Sequence, residues 1–345
     1  MKLRDIAKLA GVSLTSVSLV LNGKPGVGRE KRERVERLLI QNGYAVRSSG
    51  TASDRTVCFL KYSRHGYLVS GNPGFVTQIM DAAEQECRRH GYNLLVTACA
   101  NFSAPGLSEF LSRPAIQGII LLGTEVENGD LAAFPAVGKP MVVVDNSLPL
   151  LPYDTVTMDN RSAIFSAVSH LKKLGHRRFG FLYNSIPSNN DRERREAFQN
   201  VLELLGLPFD PGLVFPIFPT MEGAMESTLR LLKSGQRFPS ALVANNDSIA
   251  IGAMRAFQSQ GLKVPQDISI SGFDGLPFSA LSEPPLTTMS VSCGDMGYWA
   301  VRILHERSSG KCRSLCHLRV GTELRPGGST APFHPPRNHP SLLQE

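Results

Sequence analysis

No stretch of this chain approaches the ~18 consecutive apolar residues that a membrane-spanning helix needs, which excludes a transmembrane protein. The opening residues MKLRDIAKLAG carry charges throughout and lack an apolar core, so they do not read as a signal peptide. Cysteine is sparse: Cys58, Cys87, Cys99, Cys293, Cys312 and Cys316 are scattered over 345 residues. That usage points to reduced thiols in the cytoplasm rather than to a disulfide frame. Neither G-x-S-x-G nor H-E-x-x-H occurs, and the Asp/Glu pairs have no distinguishing spacing. Cys312-x3-Cys316-His317 has loose metal-like spacing but no second half nearby. Gly23, Gly26 and Gly28 follow a helical pattern and not a strand, so they are no dinucleotide fingerprint. No catalytic residue, metal or cofactor is expected.

What is present is unevenly placed. The composition, 42% hydrophobic and 19% charged, is that of a globular protein. Its length suits two or three domains at roughly 100–200 residues each. Residues 1–50 hold ten Lys/Arg against four Asp/Glu, whereas the remaining 295 hold 27 against 26. Almost all of the net +7 therefore lies in one seventh of the chain. Such a segment is either a module for a polyanion or a solubilising basic face; charge alone leaves both open.

Hydrophobic spacing divides the chain. In residues 1–46, Ile6, Leu9 and Ala10, then Val17, Val20 and Leu21, repeat the i, i+3, i+4 spacing of a helix. Gly11 breaks the first helix, Ser13 is a favourable N-cap for the second, and Asn22-Gly23 ends it. A third helix is predicted from about Arg29 to Gln41. AVRSSGTASDR, residues 45–55, is polar and aperiodic, and reads as a linker. From Thr56 onward β-forming runs (TVCFLKY, NLLVTA, GIILLG, PMVVVD, FGFLY, LVFPIF, ALVAN, ISISGF) alternate with helical segments near 75–90, 161–174, 192–205, 222–234 and 247–260. This alternation predicts an α/β body of parallel sheets covered by helices. About 270 residues is long for one such sheet, so two similar subdomains are expected. The proline-rich tail from Pro332 is expected to be disordered.

Two short helices joined by Gly11-Val12-Ser13 suit a DNA-reading unit. The first would support the second through Ile6, Ala10, Val17 and Val20, and project Leu14, Thr15, Ser16 and Ser18 into a major groove. Ser13 and Asn22, with Arg4, Lys31 and Arg47, are candidate phosphate contacts. The residues go further. RDIAKLAGVSLTSVSLVLNGKPGVGREKRERVERLLIQNGY (4–44) resembles the DNA-binding head of the lactose-repressor (LacI/GalR) family, departing at Ser16 for Thr and Gly28 for Ser. VTMDNRSAIFSAVSHLKKLGHRRFGFL, ALVANNDSIAIGAMRAFQSQGLKVPQDISISGFDGLPFSALSEPPLTTM and TELRPGGSTAP extend the resemblance to about residues 3–331. Leu19 stands where sugar-type repressors often carry an Arg that pairs with guanine, which implies a different operator. GYAVRSSGTASDRTV is shorter than the family's hinge and has no Ala-Arg-x-Leu, so it implies no leucine wedge in the minor groove.

The resemblance implies a helix-turn-helix head (1–46), a shortened hinge (47–56) and two Rossmann-like lobes of periplasmic-binding-protein type (57–331). The first lobe is expected at about 57–157 with 287–316, the second at about 158–286 with 317–331, and the tail at 332–345. Ligands bind beyond the carboxyl ends of parallel strands. Those ends hold Asp145, Asn184, Asn246, Asp247 and Asp274. The family pattern R-x-x-[GA]-[FY] falls on Arg194, with Arg192 and Arg195 leaving the register open by one. The family's wall aromatics fall on Phe75 and Phe218. A sugar or a nucleobase would suit this set equally. The expected function is a ligand-regulated repressor, a cytoplasmic homodimer on near-palindromic double-stranded operator DNA. An exported solute-binding protein or an enzyme acting on a sugar or nucleoside could use the same fold. The first needs a signal peptide and the second an acid–base or nucleophile constellation, and neither is visible.

Overall fold

The computed structural model describes residues 2–22, 24, 26–44, 55–127, 129–148 and 151–334. They form a small unit ending at Thr56, which also takes in Gly91–Asn93, and a large unit made of the rest. The small unit holds three helices, α1 (Leu3–Ala10), α2 (Leu14–Leu21) and α3 (Arg29–Gln41). Gly11 adopts left-handed backbone (φ 66°), which costs glycine nothing sterically and lets the chain turn sharply after α1. The Ser13 hydroxyl accepts from the Ser16 N–H at 3.1 Å and starts α2. Ile6, Ala10, Val17, Val20, Val35 and Leu39 are buried together, so three helices too short to stand alone share one core.

The large unit contains two six-stranded sheets. The first has the order β2 (Asn93–Cys99), β1 (Thr56–Tyr62), β3 (Ile116–Leu122), β4 (Met141–Val144), β5 (Asp154–Met158) and β11 (His317–Val320), counted from edge to edge. The second has the same pattern: β7 (Val214–Ile217), β6 (Phe179–Asn184), β8 (Ala241–Ala244), β9 (Ser269–Asp274), β10 (Thr287–Val291) and β12 (Thr322–Arg325). β12 pairs antiparallel with β10, while β10 pairs parallel with β9 and β11 parallel with β5. Helices α4 (Tyr67–Ser70), α5 (Pro73–Arg89), α6 (Leu107–Ser112) and α11 (Cys293–Ser308) belong with the first sheet; α7 (Asn160–Lys173), α8 (Asn189–Leu204), α9 (Met221–Lys233) and α10 (Asp247–Ser259) belong with the second. None of these helices is long and apolar enough to cross a membrane.

The chain crosses between the lobes after β5, after β10 and after β11. The last two crossings differ from the sequence-based boundaries. Thr287–Val291, expected in the first lobe, is β10 of the second sheet, and His317–Val320, expected in the second lobe, is β11 of the first. Hydrophobic pattern cannot assign these segments to a lobe, because strand pairing and not composition decides which sheet each joins. β5, β10, β11, β12, α4 and α11 were not separated by the sequence reading. β5 overlaps the start of the matched stretch VTMDN, and the two edge strands are only four residues long. α8 begins three residues earlier than its apolar period indicates, since Ser188 caps it by accepting from Asp191 N–H at 3.1 Å. Thr56 already belongs to β1, and most of the expected linker, 47–54, lies outside the described residues. The tail expected to be disordered starts with an anchored residue: Phe333 N–H donates to Leu174 O at 2.7 Å, and its ring meets that of His176 edge-on at 5.7 Å.

Each lobe has one helix pair that touches through a glycine. An ideal Cβ on Gly297 of α11 would lie 2.2 Å from Ile79 O and 2.9 Å from Ala82 Cβ of α5. One on Gly252 of α10 would lie 2.3 Å from Met221 O and 2.6 Å from Ala224 Cβ of α9. Alanine raises helix propensity by ~1 kcal/mol, but overpacking a rigid contact costs ~1–3 kcal/mol. Here the obstacle is backbone, so the second effect wins. Gly297→Ala and Gly252→Ala are each expected to lower stability by about 1–2 kcal/mol, read from the denaturant midpoint. Gly294→Ala, on α11 with nothing within 4 Å of its would-be Cβ, is expected to be neutral or stabilising. Equal midpoints for all three variants contradict the packing argument.

Candidate functional site

The head presents one polar face. Val17 and Val20 are fully buried beneath α2, while Leu14 is 40% exposed and Thr15 and Ser18 are exposed beside it. Ser13 is exposed and Ser16 half-buried, and their hydroxyls share a hydrogen bond of 2.9 Å. Leu19 is half-buried. Asn22 is exposed, but its Nδ2 already donates to Ser18 O at 2.9 Å, so part of its capacity closes α2. Arg4 and Lys31 are exposed; Arg47 lies outside the described residues. The start of α2 thus offers a methyl-bearing and hydroxyl-bearing surface in a strongly basic unit.

In the large unit the carboxyl ends of both sheets face each other across a cavity with about 40 Å³ of free space. Of the candidate effector residues, Phe75, Asp145, Asn184, Arg194, Asn246 and Asp274 line it. Phe218 does not. Its ring lies over the start of α9, where a Cβ on Gly223 would meet Phe218 Cδ1 at 2.5 Å, and it packs edge-on against Tyr67 at 5.1 Å. The register among three arginines resolves on Arg194, which is 4% exposed. Arg192 instead donates to Asn189 Oδ1 at 2.6 Å, and Arg195 lies over the Tyr183 ring at 4.8 Å.

Arg194 is held on every side. Its Nε donates to Asn160 Oδ1 at 2.8 Å and its Nη1 to Asn245 O at 2.5 Å. The guanidinium lies 3.6 Å from the centroid of the Phe273 ring, and its Nη2 is 4.0 Å from Asp274 Oδ1. Asp145 accepts from Thr124 Oγ1 at 2.6 Å and from Asn190 Nδ2 at 2.8 Å. Asp274 accepts from Asn72 Nδ2 at 2.7 Å, a bond that spans the two lobes. Asn246 lines the cavity while its Oδ1 caps α10 through Ile249 N–H at 2.8 Å.

Sequence reasoning missed Asn72, Thr124, Asn190 and Asn245, which also line the cavity. Three of them carried a signal. Thr124 follows the end of β3, Asn245 adjoins Asn246, and Asn190 stands one helical turn before Arg194 on the same face. Asn72 lies in a loop far from any strand end and carried none.

The charge balance follows from burial. Desolvation pushes the Asp145 carboxyl up to about 6, although the Thr124 hydrogen bond and the Arg194 charge oppose it. Desolvation raises Asp274 to about 8; Arg194 opposes this, and the like charges of Asp247 and Asp145 add to it. Asp145 balances Arg194, and burial shifts Asp274 toward its neutral O–H form. The buried amide oxygens Asn72 Oδ1, Asn184 Oδ1 and Asn245 Oδ1 have no hydrogen-bond partner among the described residues. All three belong to cavity-lining side chains, so the cavity is rich in acceptors awaiting donors.

A carboxyl whose folded pKa is raised binds more protons folded than unfolded, so its stabilising contribution falls as pH rises toward the folded value. Below about pH 6.5, His170 and His176, both lowered by burial, act in the opposite direction. The wild type is therefore expected to lose stability between pH 7 and 8 through Asp274, and Asp274→Asn to lose less. Parallel denaturant-midpoint profiles for the two proteins over that interval would refute the assignment.

Residues 2–46 match the family described as bacterial regulatory proteins, lacI family, and residues 168–330 match a periplasmic binding protein-like domain. The ribose operon repressor of Haemophilus influenzae is 29% identical over 310 residues, covering 88% of this chain and 91% of that one. The HTH-type transcriptional repressor PurR of the same species is 30% identical, covering 90% of this chain and 91% of its own. The lac repressor dimer bound to operator and the anti-inducer ONPF shares the fold, with a TM-score of 0.71 at 23% identity over 96% of this chain and 99% of that one.

Proposed function

This chain belongs to the LacI family of bacterial regulatory proteins, and on that premise we propose that it is a ligand-regulated, sequence-specific DNA-binding repressor whose large unit senses a neutral, hydroxyl-rich metabolite of sugar type. The reading of the head rests on α2. A helix that buries Val17 and Val20 and turns Leu14, Thr15 and Ser18 outward can lay its first turn against base edges. Leu14 and the Thr15 methyl suit a thymine methyl group; the serine hydroxyls and exposed Arg4 and Lys31 suit phosphate oxygens. Two heads in a homodimer would read two half-sites. The relatives bearing repressor names support this sign of regulation and support a cytoplasmic DNA-binding role over catalysis.

The observation that carries the effector class is the trio of unpartnered amide oxygens on Asn72, Asn184 and Asn245. Hydroxyl groups donate to such acceptors and also accept from Arg194 and protonated Asp274. A flat base would favour rings on both faces, and Phe75 is the aromatic residue that lines the cavity. The free space, about 40 Å³, is far below the roughly 300–1,000 Å³ of typical ligand pockets. Entry therefore requires the lobes to part, which is how binding can bias their closure and alter the heads. Reversing a 1:99 population needs about 5.5 kcal/mol of differential affinity.

Operator selected from random duplexes is expected to bind more weakly as salt rises, with a slope set by about 0.9 per neutralised phosphate. Leu14→Ala and Thr15→Ala are each expected to cost about 1–3 kcal/mol on that operator and relax its sequence preference. Arg4→Ala is expected to reduce the salt slope by about one with little change in preference. No selected sequence, or binding insensitive to salt, refutes the DNA reading. In a thermal-shift panel of D-ribose, D-glucose, cellobiose, adenine and guanine, a sugar is expected to raise the melting temperature. Asp145→Asn is expected to abolish that rise. A response to the bases alone overturns the polyol class.

A further inference from the structure

Residues 64–72, of which Leu68 and Asn72 line the cavity, contain little regular structure: bends at 64–66, the single turn α4, and Gly71 before α5. Loops with so few internal hydrogen bonds are ordinarily the most mobile part of a fold. Yet this one reaches the second lobe repeatedly. The Tyr67 ring meets Phe218 edge-on at 5.1 Å. The Gly71 backbone lies so close to the second lobe that a Cβ there would be 3.1 Å from Pro219 O, and Ser248 Oγ donates to Gly71 O at 3.4 Å. Asn72 then bonds Asp274.

What holds the wall in place is Glu125, a buried carboxylate just beyond β3 that does not line the cavity. Its Oε2 accepts from His65 N–H at 3.0 Å and Gly66 N–H at 2.9 Å; its Oε1 accepts from Leu68 N–H at 2.9 Å and Val69 N–H at 3.2 Å. His65 Nδ1 lies 3.3 Å from Oε2. Four backbone donors, including the first-turn N–H groups that α4 leaves free, are thus collected by one side chain. Only a carboxylate offers two acceptor oxygens here, since an amide would turn its NH2 toward two of the donors.

We propose that Glu125 is a positioning residue for the effector cavity: it fixes residues 65–69 to the first lobe as a preformed lid, so that Gly71 and Asn72 meet the second lobe in one defined place. This rests on the reading of the cavity as the effector site. The lid's ordering entropy is then met during folding and does not oppose effector binding.

The test is amide hydrogen exchange on the full-length protein without added sugar, so its outcome stands whether or not a sugar binds. In the wild type, the amides of 65, 66, 68 and 69 are expected to be far slower than those of the loop at 101–106; equal rates overturn the proposal even if no variant folds. In Glu125→Gln those four amides are expected to exchange at least tenfold faster, with β3 unchanged. The amides at 220–223 and 247–249, next to the Gly71 contacts with Pro219 and Ser248, are expected to speed up several-fold, while 229–233 and 255–259 do not. A merely local structural role for Glu125 would leave 220–223 and 247–249 unaffected. That result, or unchanged exchange at 65–69, overturns the assignment.

Discussion

A guanidinium that stays charged at any physiological pH is enclosed where the two lobes meet, and the polar groups around it answer to that fact. Removing such a charge from water costs several kcal/mol unless protein groups replace the lost solvation. Burial does depress the basicity of Arg194, while Asp274, Asp145, Asp191 and Glu193 work against the depression. The replacement shell is drawn from many elements: Asn160 from the start of α7, Asn245 from beyond β8, Phe273 and Asp274 from β9, and Asp145 from the first lobe. Asn160 is shared, since its Nδ2 also donates to Glu193 at 2.8 Å and to Asn190 Oδ1 at 3.1 Å. Because Asp145 arrives from the other lobe, any change in lobe closure changes the field at Arg194. A molecule that hydrogen-bonds in this cavity therefore interacts differently with the open and closed arrangements, which is the condition for shifting their populations.

Legibility in the sequence followed the physics of each feature. The strand-end rule led to Asp145, Asn184, Asn246 and Asp274, which line one cavity because parallel strands all deliver their last residues to one edge of the sheet; Asp247, named by the same rule, instead accepts from Ser279 Oγ at 2.6 Å and is not in the lining. The same rule, applied to β3 and to the first residue of Asn245-Asn246, would have delivered Thr124 and Asn245. Asn72 was out of reach: it is brought to Asp274 by a loop, across 202 positions of sequence. Phe218 shows the opposite failure. An aromatic residue before a small-residue helix start fits the family pattern, but here Gly223 lets the ring fold down onto α9 instead of into the cavity. The lobe boundaries failed for a third reason. β10 and β11 are both short and adjacent to a crossing, and pairing partners decide which sheet each one joins.

The shared strand order of the two lobes gives the cavity a further property. β4 and β9 occupy the same place in their sheets, fourth from the β2 and β7 edges respectively. Each delivers an aspartate at its carboxyl end, and both aspartates have positive backbone φ, 65° at Asp145 and 109° at Asp274. Positions of this kind favour glycine, and holding a branched polar residue there costs of order 1–3 kcal/mol. Glycine would remove the strain but also the carboxyl, and with it one of the two acids that flank Arg194. The strain is thus tied to aim: left-handed backbone turns each carboxyl out of the sheet's path and toward the opposing lobe. The Asn190 and Thr124 hydrogen bonds hold Asp145 in that pose, and the Asn72 hydrogen bond holds Asp274. The site is built from the matching ends of two similar sheets, each strained in the same sense, and its chemistry exists only where the two ends face each other.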